Sequence, residues 1–339
     1  MAFTPTLLQE GILSVAQTNG LDFTGNELRR SRYGALQAAS SGVNELVPAS
    51  TLTSLREASK QPTSIDVFNK IAAGAGTARK CAGTGTGTTA NVGVTYNTFV
   101  EEFSISKIEH EGNRVKEQEA FNYLLNEKLK ALHTRVDTAA VAALEAAAIA
   151  APNAAFGTAV GNALQFAAAA RLDFYNQMKS NLEINDFYGG YDNVHSTSQA
   201  ELVRFDQAQG GANATNLQFQ LGDYTHFASN RVANGAGVQS TSYMFEKGTF
   251  GAVTWTNQLS RMGEDIGTDV WTTMADPFGL LGTIELKIQK GCVDNSAGLG
   301  VGAESDLVES YVMAVDVAFL TAYDSTGADS GIYKAEVMS

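Results

Sequence analysis

Residues 113–151 read NRVKEQEAFNYLLNEKLKALHTRVDTAAVAALEAAAIAA. Apolar residues recur at Phe121, Leu125, Leu129, Leu132, Val136, Ala140, Ala143 and Ala147, in steps of three and four. That is the period of one helix face. Glu117 and Glu119 suit the positive end of the helix dipole, Asn113 can cap the start, and Pro152 cannot continue beyond Ala151. At about 1.5 Å per residue the segment reaches nearly 60 Å, against an average helix of roughly 11–12 residues. No second helix of similar length exists to pair with it. The segment is therefore expected to be a spine with sheets along one face.

Working outward, the 339 residues suffice for one large or two medium domains with real cores. Apolar residues make up 44%, which excludes disorder for the chain as a whole. Charged residues make up only 17%, below the typical ~25%, and Ala, Gly, Thr, Asn and Ser take their place. Such a surface suits burial against other subunits. The net charge of −13 argues against a general nucleic-acid-binding surface. Cys81 and Cys292 are too few for a disulfide framework and lack metal spacing, so folding in a reducing cytoplasm is expected. No signal peptide is expected at MAFTPTLLQEG, and no stretch is apolar and long enough to span a bilayer.

Residues 1–60 read as an extended arm with a short helix near Leu52 and Leu55. Residues 61–110 read as a long two-stranded excursion. Ile65 and Val67 mark the outgoing strand; Val92, Val94, Tyr96, Phe99, Phe103 and Ile105 mark the return, with the alternation slipping near Asn97. The stretch between them, GAGTARKCAGTGTGTTA (Gly74 to Ala90), cannot hold a core and reads as a mobile tip. A lone two-stranded hairpin is marginal in water, so this one is expected to lie on another subunit.

Beyond the spine, a second helix is expected from Thr158 to about Leu182, then a strand at Tyr191–His195. Ser198 and Glu201 form a capping-box pattern for a further helix. A strand is expected near Tyr224–Ser229. Tyr243–Phe245 and Phe250–Trp255 read as a hairpin around Glu246–Thr249. Ile284, Leu286 and Ile288 alternate with polar residues, and Tyr311–Leu320 is an apolar strand broken only by Asp316. The fold class expected is α+β rather than repeated βαβ.

The sequence carries no G-x-S-x-G, P-loop or H-E-x-x-H motif. Gly83, Gly85 and Gly87 imitate a dinucleotide fingerprint, but Thr88 stands where the third glycine is needed. His110, His133, His195 and His226 are scattered, and His133 is expected to be a partly exposed helix residue. His195 beside Asp192 and Ser196 lacks triad geometry, because an adjacent Ser and His cannot easily aim at each other. Glu101 and Glu102 would point to opposite faces of a strand, and Glu264 with Asp265 would be solvated. No catalytic residue, metal or cofactor is expected. Arg79 and Lys80 are the basic spot of the tip, serving either solubility or a salt bridge to an acidic neighbour.

The order of elements resembles the HK97-like major capsid proteins of tailed bacteriophages. The matching pieces are the Gly/Thr-tipped excursion at 61–110, the spine, YDNVHSTSQAELVRFDQ (191–207), YMFEKGTFGAVTW (243–255) and ESYVMAVDVAFLTAY (309–323). The resemblance implies an N-terminal arm (1–60), an extended hairpin loop (61–110), a peripheral domain with the spine (111–157), an axial domain (158–280) and closing strands returning to the peripheral domain (281–339). It also implies pentamers and hexamers of this chain forming an icosahedral shell around double-stranded DNA, without sequence-specific contact. Portal and minor or cement proteins would be further partners. The location implied is the virion capsid, assembled in the host cytoplasm. Because the chain starts almost at the arm, a separate scaffolding protein, or none, is expected. The competing readings are an encapsulin-like nanocompartment shell, an α/β enzyme with an unrecognised site, and a flagellin-like filament. The last is weakened by a C-terminus that reads as strand.

Overall fold

This computed structural model describes Gly11 and residues 33–68, 89–106, 114–168, 173–187, 189–199, 220–221, 224–267, 269–294, 305–322 and 330–339. The spine is helix α3, Arg114–Ala147, preceded by α1 (Gly34–Leu46) and α2 (Ala49–Glu57). Its buried face runs through Phe121, Leu125, Leu129, Leu132, Val136, Ala140 and Leu144 and continues to Ala148 just past its end. The last two replace the expected Ala143 and Ala147, which are half-buried. The helix also stops before Ala151. Ile149 is drawn out into a parallel bridge with Tyr333, donating its N–H to Ile332 O at 3.0 Å and accepting from Lys334 N–H at 3.1 Å. Strand pairing outweighs the helix preference of the alanines.

Six strands form a sheet on the N-terminal half of the spine: β3 (Asn97–Ser106), β10 (Phe250–Trp255), β11 (Asp265–Ile266), β12 (Asp269–Ala275), β13 (Thr283–Asp294) and β14 (Ser305–Thr321). β14 is central. β3 lies along one of its edges, and β13 and β10 follow each other along the other. Alternation turns Tyr311, Met313, Val315 and Val317, with Ile284, Leu286, Ile288 and Phe103, towards Leu125, Leu129 and Leu132 of the spine.

A second sheet has the order β4 (Thr158–Val160), β5 (Ala163–Phe166), β15 (Ile332–Met338), β9 (Val238–Glu246), β6 (Tyr191–His195), β8 (Tyr224–Ala228) and β7 (Gln220–Leu221). One face packs Val194, Tyr243, Phe245 and Ile332 on Ala140, Leu144 and Ala148 of the spine. Helix α4 (Phe174–Ile184) covers the other through Phe174, Tyr175, Met178 and Leu182. The chain is α+β, with one long helix shared by two sheets.

Several expectations change. Residues 34–46 are a helix inside the core, not part of an extended arm. Ala35, Ala38 and Ala39 are fully buried. Gly34 and Gly42 let the backbone approach closely: a Cβ on Gly34 would meet Ala228 O at 2.5 Å, and one on Gly42 would collide with Phe250 O. The helix expected over 158–182 starts only at Phe174. Before it, β4 and β5 form a hairpin closed by Gly161, at φ 61°, and Asn162. Leu164 and Phe166 are recruited into the core because β5 runs parallel to β15, far away in sequence. β9 and β10 are not a hairpin. The turn at Glu246–Thr249, with Gly248 at φ 79°, carries the chain from one sheet to the other.

The boundary at 280/281 does not follow the sheets. β10, β11 and β12 already belong to the six-stranded sheet, whereas β15 closes the seven-stranded one. His133 is not partly exposed but fully buried. The arm up to residue 32, Gly11 excepted, lies outside the described residues. So do Arg79, Lys80 and Cys81, and the helix expected after Ser198 beyond its first residues.

Candidate functional site

The excursion resolves into two parts. Ser64–Phe68 (β1) and Thr89–Gly93 (β2) form a separate two-stranded ribbon, with Ile65 opposite Val92 and Phe68 opposite Thr89. The chain then breaks at 94–96, close to where the alternation slips, and enters the six-stranded sheet as β3. A neighbour within the chain therefore exists for the base of the ribbon, contrary to expectation. Ile65 and Val67, at 1% and 0% exposure, pack on Leu46, Val47, Leu55, Val253 and Leu320. Ser64, Asp66 and Phe68 face outward, and Phe68 is 40% exposed.

Asp316 explains the polar break in β14. Tyr311, Met313, Val315 and Val317 face the spine, so alternation sends Asp316 to the opposite face, at the foot of the ribbon. One carboxylate oxygen accepts from Gln61 Nε2 at 2.8 Å, just before β1; the other accepts from Thr98 Oγ1 at 2.5 Å, at the start of β3 where the chain leaves the ribbon. A single side chain thus holds both legs. The outgoing leg is held again at Ala58, whose carbonyl accepts from Trp255 Nε1 at 3.3 Å and from the Arg261 guanidinium. Val94 N–H donates to Thr63 O at 2.9 Å and ties the legs together. Beside this foot, Glu285 accepts from Asn257 N–H and Ser260 Oγ; burial and then the Asp316 charge raise its carboxyl above the usual range. Burial, with Asp316 nearby, pushes Tyr96 up to about 12.

Replacing Asp316 with Ala removes the acceptor shared by Gln61 and Thr98, whose exposed side chains can turn to water, at a cost of about 0.5–1.5 kcal/mol per bond. Because these bonds hold the ribbon rather than the core, amide exchange over 61–68 and 89–98 is expected to speed up roughly tenfold. The spine amides should be unchanged. Uniform acceleration across the chain would refute a clamp specific to the ribbon.

The remaining sequence candidates do not converge. On β6, Asp192 and His195 lie on opposite faces. His195 donates from Nδ1 to Ser196 O at 2.9 Å, while Ser196 Oγ pairs with Ser198 Oγ at 2.9 Å and accepts from Thr241 N–H. Burial pushes His195 down to about 4. Burial also pushes Asp192 up to about 7, against the charge of Lys247 and with that of Glu45. Glu101 faces the spine, with Arg135 at 3.0 Å and Lys128 at 3.5 Å, while Glu102 points to the other face. Glu264 and Asp265 are exposed. Among the described residues no three His, Cys, Asp or Glu side chains gather to hold a metal, and no helix is long and apolar enough to cross a membrane.

The residues of the ribbon's foot that the sequence did not single out are Gln61, Thr98 and Arg261. The interruption of an apolar strand by Asp316 was the available signal.

No family model and no curated protein matches the sequence. Among solved structures the chain is similar to one from Mycobacterium phage Che8, at 10% identity and TM-score 0.46, covering 86% of this chain and 89% of the other. It is similar to the capsid of an empty GTA particle at 11% identity and TM-score 0.44, covering 88% and 90%. A structure from Mycobacterium phage Adephagia is similar at 12% identity and TM-score 0.43, covering 95% of this chain and 96% of its own.

Proposed function

We propose that this chain is a self-assembling shell subunit, the HK97-like major capsid protein of a tailed bacteriophage, and that it works without catalysing a reaction. The observation that carries the reading is the ribbon. It is a two-stranded sheet of its own, anchored at the foot through Asp316, with residues 69–88 joining its strands. Ile65 and Val67 pack one face of β1 on this chain, while Ser64, Asp66 and Phe68 leave the other face open, and that outward face is what a neighbouring subunit would cover. Val115 and Tyr123 on the spine, each 66% exposed, add apolar surface suited to a neighbour.

In this reading the residues ahead of α1 supply the overlapping arm and 61–93 the ribbon with its tip, where Arg79 and Lys80 meet acidic groups of the next subunit. The six-stranded sheet with the spine is the peripheral domain, and the seven-stranded sheet is the axial one. Heterologous contacts close into rings of five and six, with interfaces of about 2,000 Å² or more. Such a shell encloses double-stranded DNA without reading its sequence. It is built in the host cytoplasm with scaffolding, portal or cement proteins as further partners.

Light scattering and negative-stain microscopy of the purified protein, with a scaffold supplied, test this. Closed particles or capsomers are expected, and a monodisperse monomer at high concentration would overturn the reading. Particles that carry a protein cargo in place of DNA would move it to a nanocompartment shell.

A further inference from the structure

His133 and Asp137 stand one helical turn apart on the spine, and both are at 0% exposure. Each ties the helix to a different body. Asp137 accepts from Leu36 N–H of α1 at 2.9 Å, from Ser229 Oγ at 2.8 Å and from Arg231 Nη1 at 3.5 Å, the last two just beyond β8 of the seven-stranded sheet. His133 instead reaches the turn between β12 and β13 of the six-stranded sheet, where its Nε2 lies 3.0 Å from Asp276 Oδ2.

The partners of the imidazole fix its charge. Nδ1 lies 2.7 Å from the Leu129 carbonyl, which can only accept, so Nδ1 must carry a proton. Nε2 faces a carboxylate that already accepts from three backbone amides, Phe278 to Oδ1 and Leu280 and Leu281 to Oδ2, at 2.8 to 3.0 Å. A carboxylate gathering three amide donors is held as an anion, so Nε2 must donate as well. Both ring nitrogens are donors only in the imidazolium. The Phe278 and Tyr33 rings flank that cation, with centroids at 4.6 and 5.4 Å.

We propose that His133 is a proton-dependent lock, a buried imidazolium that fastens the β12–β13 turn, and with it the six-stranded sheet, to the spine next to the Asp137 attachment of the other sheet. Losing the proton forces a choice. Either the Leu129 carbonyl or Asp276 is left facing a lone pair in a dry site. The turn it holds is DPFGLLG (276–282), whose Phe278, Leu280 and Leu281 are buried in the core around the spine.

The ionisable groups around the ring are Asp276 from the turn, Asp137 from the spine, Tyr33 ahead of α1, and Arg231, which lies over the Tyr33 ring at 5.6 Å. Burial alone lowers the imidazolium's pKa. Asp276 by charge and hydrogen bond, the Leu129 carbonyl and Asp137 more than offset this and leave it above the ordinary 6.5. A raised histidine contributes stability that is complete below 6.5 and is lost as pH climbs through the folded value. Burial raises Asp276 too, but His133 and the amides of Leu281 and Leu280 leave it below 3.8, so its contribution fails only on the acid side of that value. The lock therefore holds below 6.5 and opens as pH climbs through the raised folded value.

The test is thermal unfolding of the full chain from about pH 6 to about pH 9.5, spanning the histidine range, for wild type and His133→Gln. Asp137, Tyr33 and Arg231 are common to both, so they enter the difference only through their coupling to His133. At the acid end the wild type is expected to melt roughly 3–8 °C higher. That gap should narrow as pH rises. Parallel curves would overturn the proposal. Should the variant fail to fold, imidazole C2 hydrogen exchange of the wild type, read peptide by peptide, decides instead. A midpoint for His133 above about 6.5 supports the lock, and one at or below it sinks the lock. Both readouts apply to unassembled subunits, so failure of the shell reading leaves this test intact.

Discussion

Leu129→Asp should yield no folded, soluble subunit, whereas Lys130→Asp should fold and melt within about 1–3 °C of the wild type. Leu129 is at 0% exposure in the middle of the spine, inside the cluster that joins Leu125 and Leu132 to the inner face of the six-stranded sheet. Removing the leucine costs about 2–5 kcal/mol in lost burial and cavity. A carboxyl without a partner in the same place adds several kcal/mol more. The sum approaches the whole stability of a typical domain, about 5–15 kcal/mol. Lys130 is one residue on, about 100° around the helix. Its side chain is 27% exposed and pairs with Glu127 at 3.0 Å, a surface contact worth at most about 1 kcal/mol. An aspartate there meets Glu127 as a like charge, a penalty of a few tenths of a kcal/mol. Soluble yield and far-UV circular dichroism separate the two variants. Equal yields would mean that the buried face of the spine has been misassigned.

The spine was legible because its period is local. Every third or fourth residue reports the same face, and the pattern persists long enough to outweigh individual exceptions. β14 and the first half of β13 were legible for the same reason, with period two. The slip of alternation near Asn97 marked a real change, from β2 paired with β1 to β3 paired with β14. The failures share a different cause. More than half of α1 is Gly, Ala and Ser, which carry little hydrophobic signal, and its place in the core depends on how closely Gly34 and Gly42 approach Ala228 and Phe250. Residues 158–166 resemble helix in composition, but β15, more than 160 residues downstream, offers them a strand edge. β9 and β10 look like a hairpin because a sharp turn is visible in sequence and a change of sheet is not. His133 read as a partly exposed helix residue and Asp316 as a polar break in an apolar strand. Their partners, Asp276, Gln61 and Thr98, lie 143, 255 and 218 residues away, beyond the reach of any local pattern.

Deleting residues 69–88 and closing the ribbon with Asn-Gly should leave the subunit folded and abolish most particle formation. The cut must respect the register. Phe68 stands opposite Thr89 and Val67 opposite Ala90, so a deletion running from Gly74 to Ala90 would remove two residues of β2 itself. With Phe68 and Thr89 directly paired, a two-residue loop closes the strands, and Asn-Gly supplies the positive φ values that a type I′ turn requires. The buried residues at the foot, Ile65 and Val67, stay in place, as do the Asp316 bonds to Gln61 and Thr98. Shortening the loop also lowers its closure entropy slightly, so the isolated subunit should melt at or just above the wild-type temperature. What disappears is the reach of the ribbon, together with Arg79 and Lys80. If each inter-subunit contact loses about 1.4 kcal/mol, its association constant falls about tenfold, and a closed shell multiplies that loss over many contacts. Circular dichroism and particle yield by negative-stain microscopy are measured side by side. Normal particles from the shortened chain would show that residues 69–88 are an idle insertion and would remove the ribbon from the assembly argument. An unfolded subunit would show instead that those residues belong to the core.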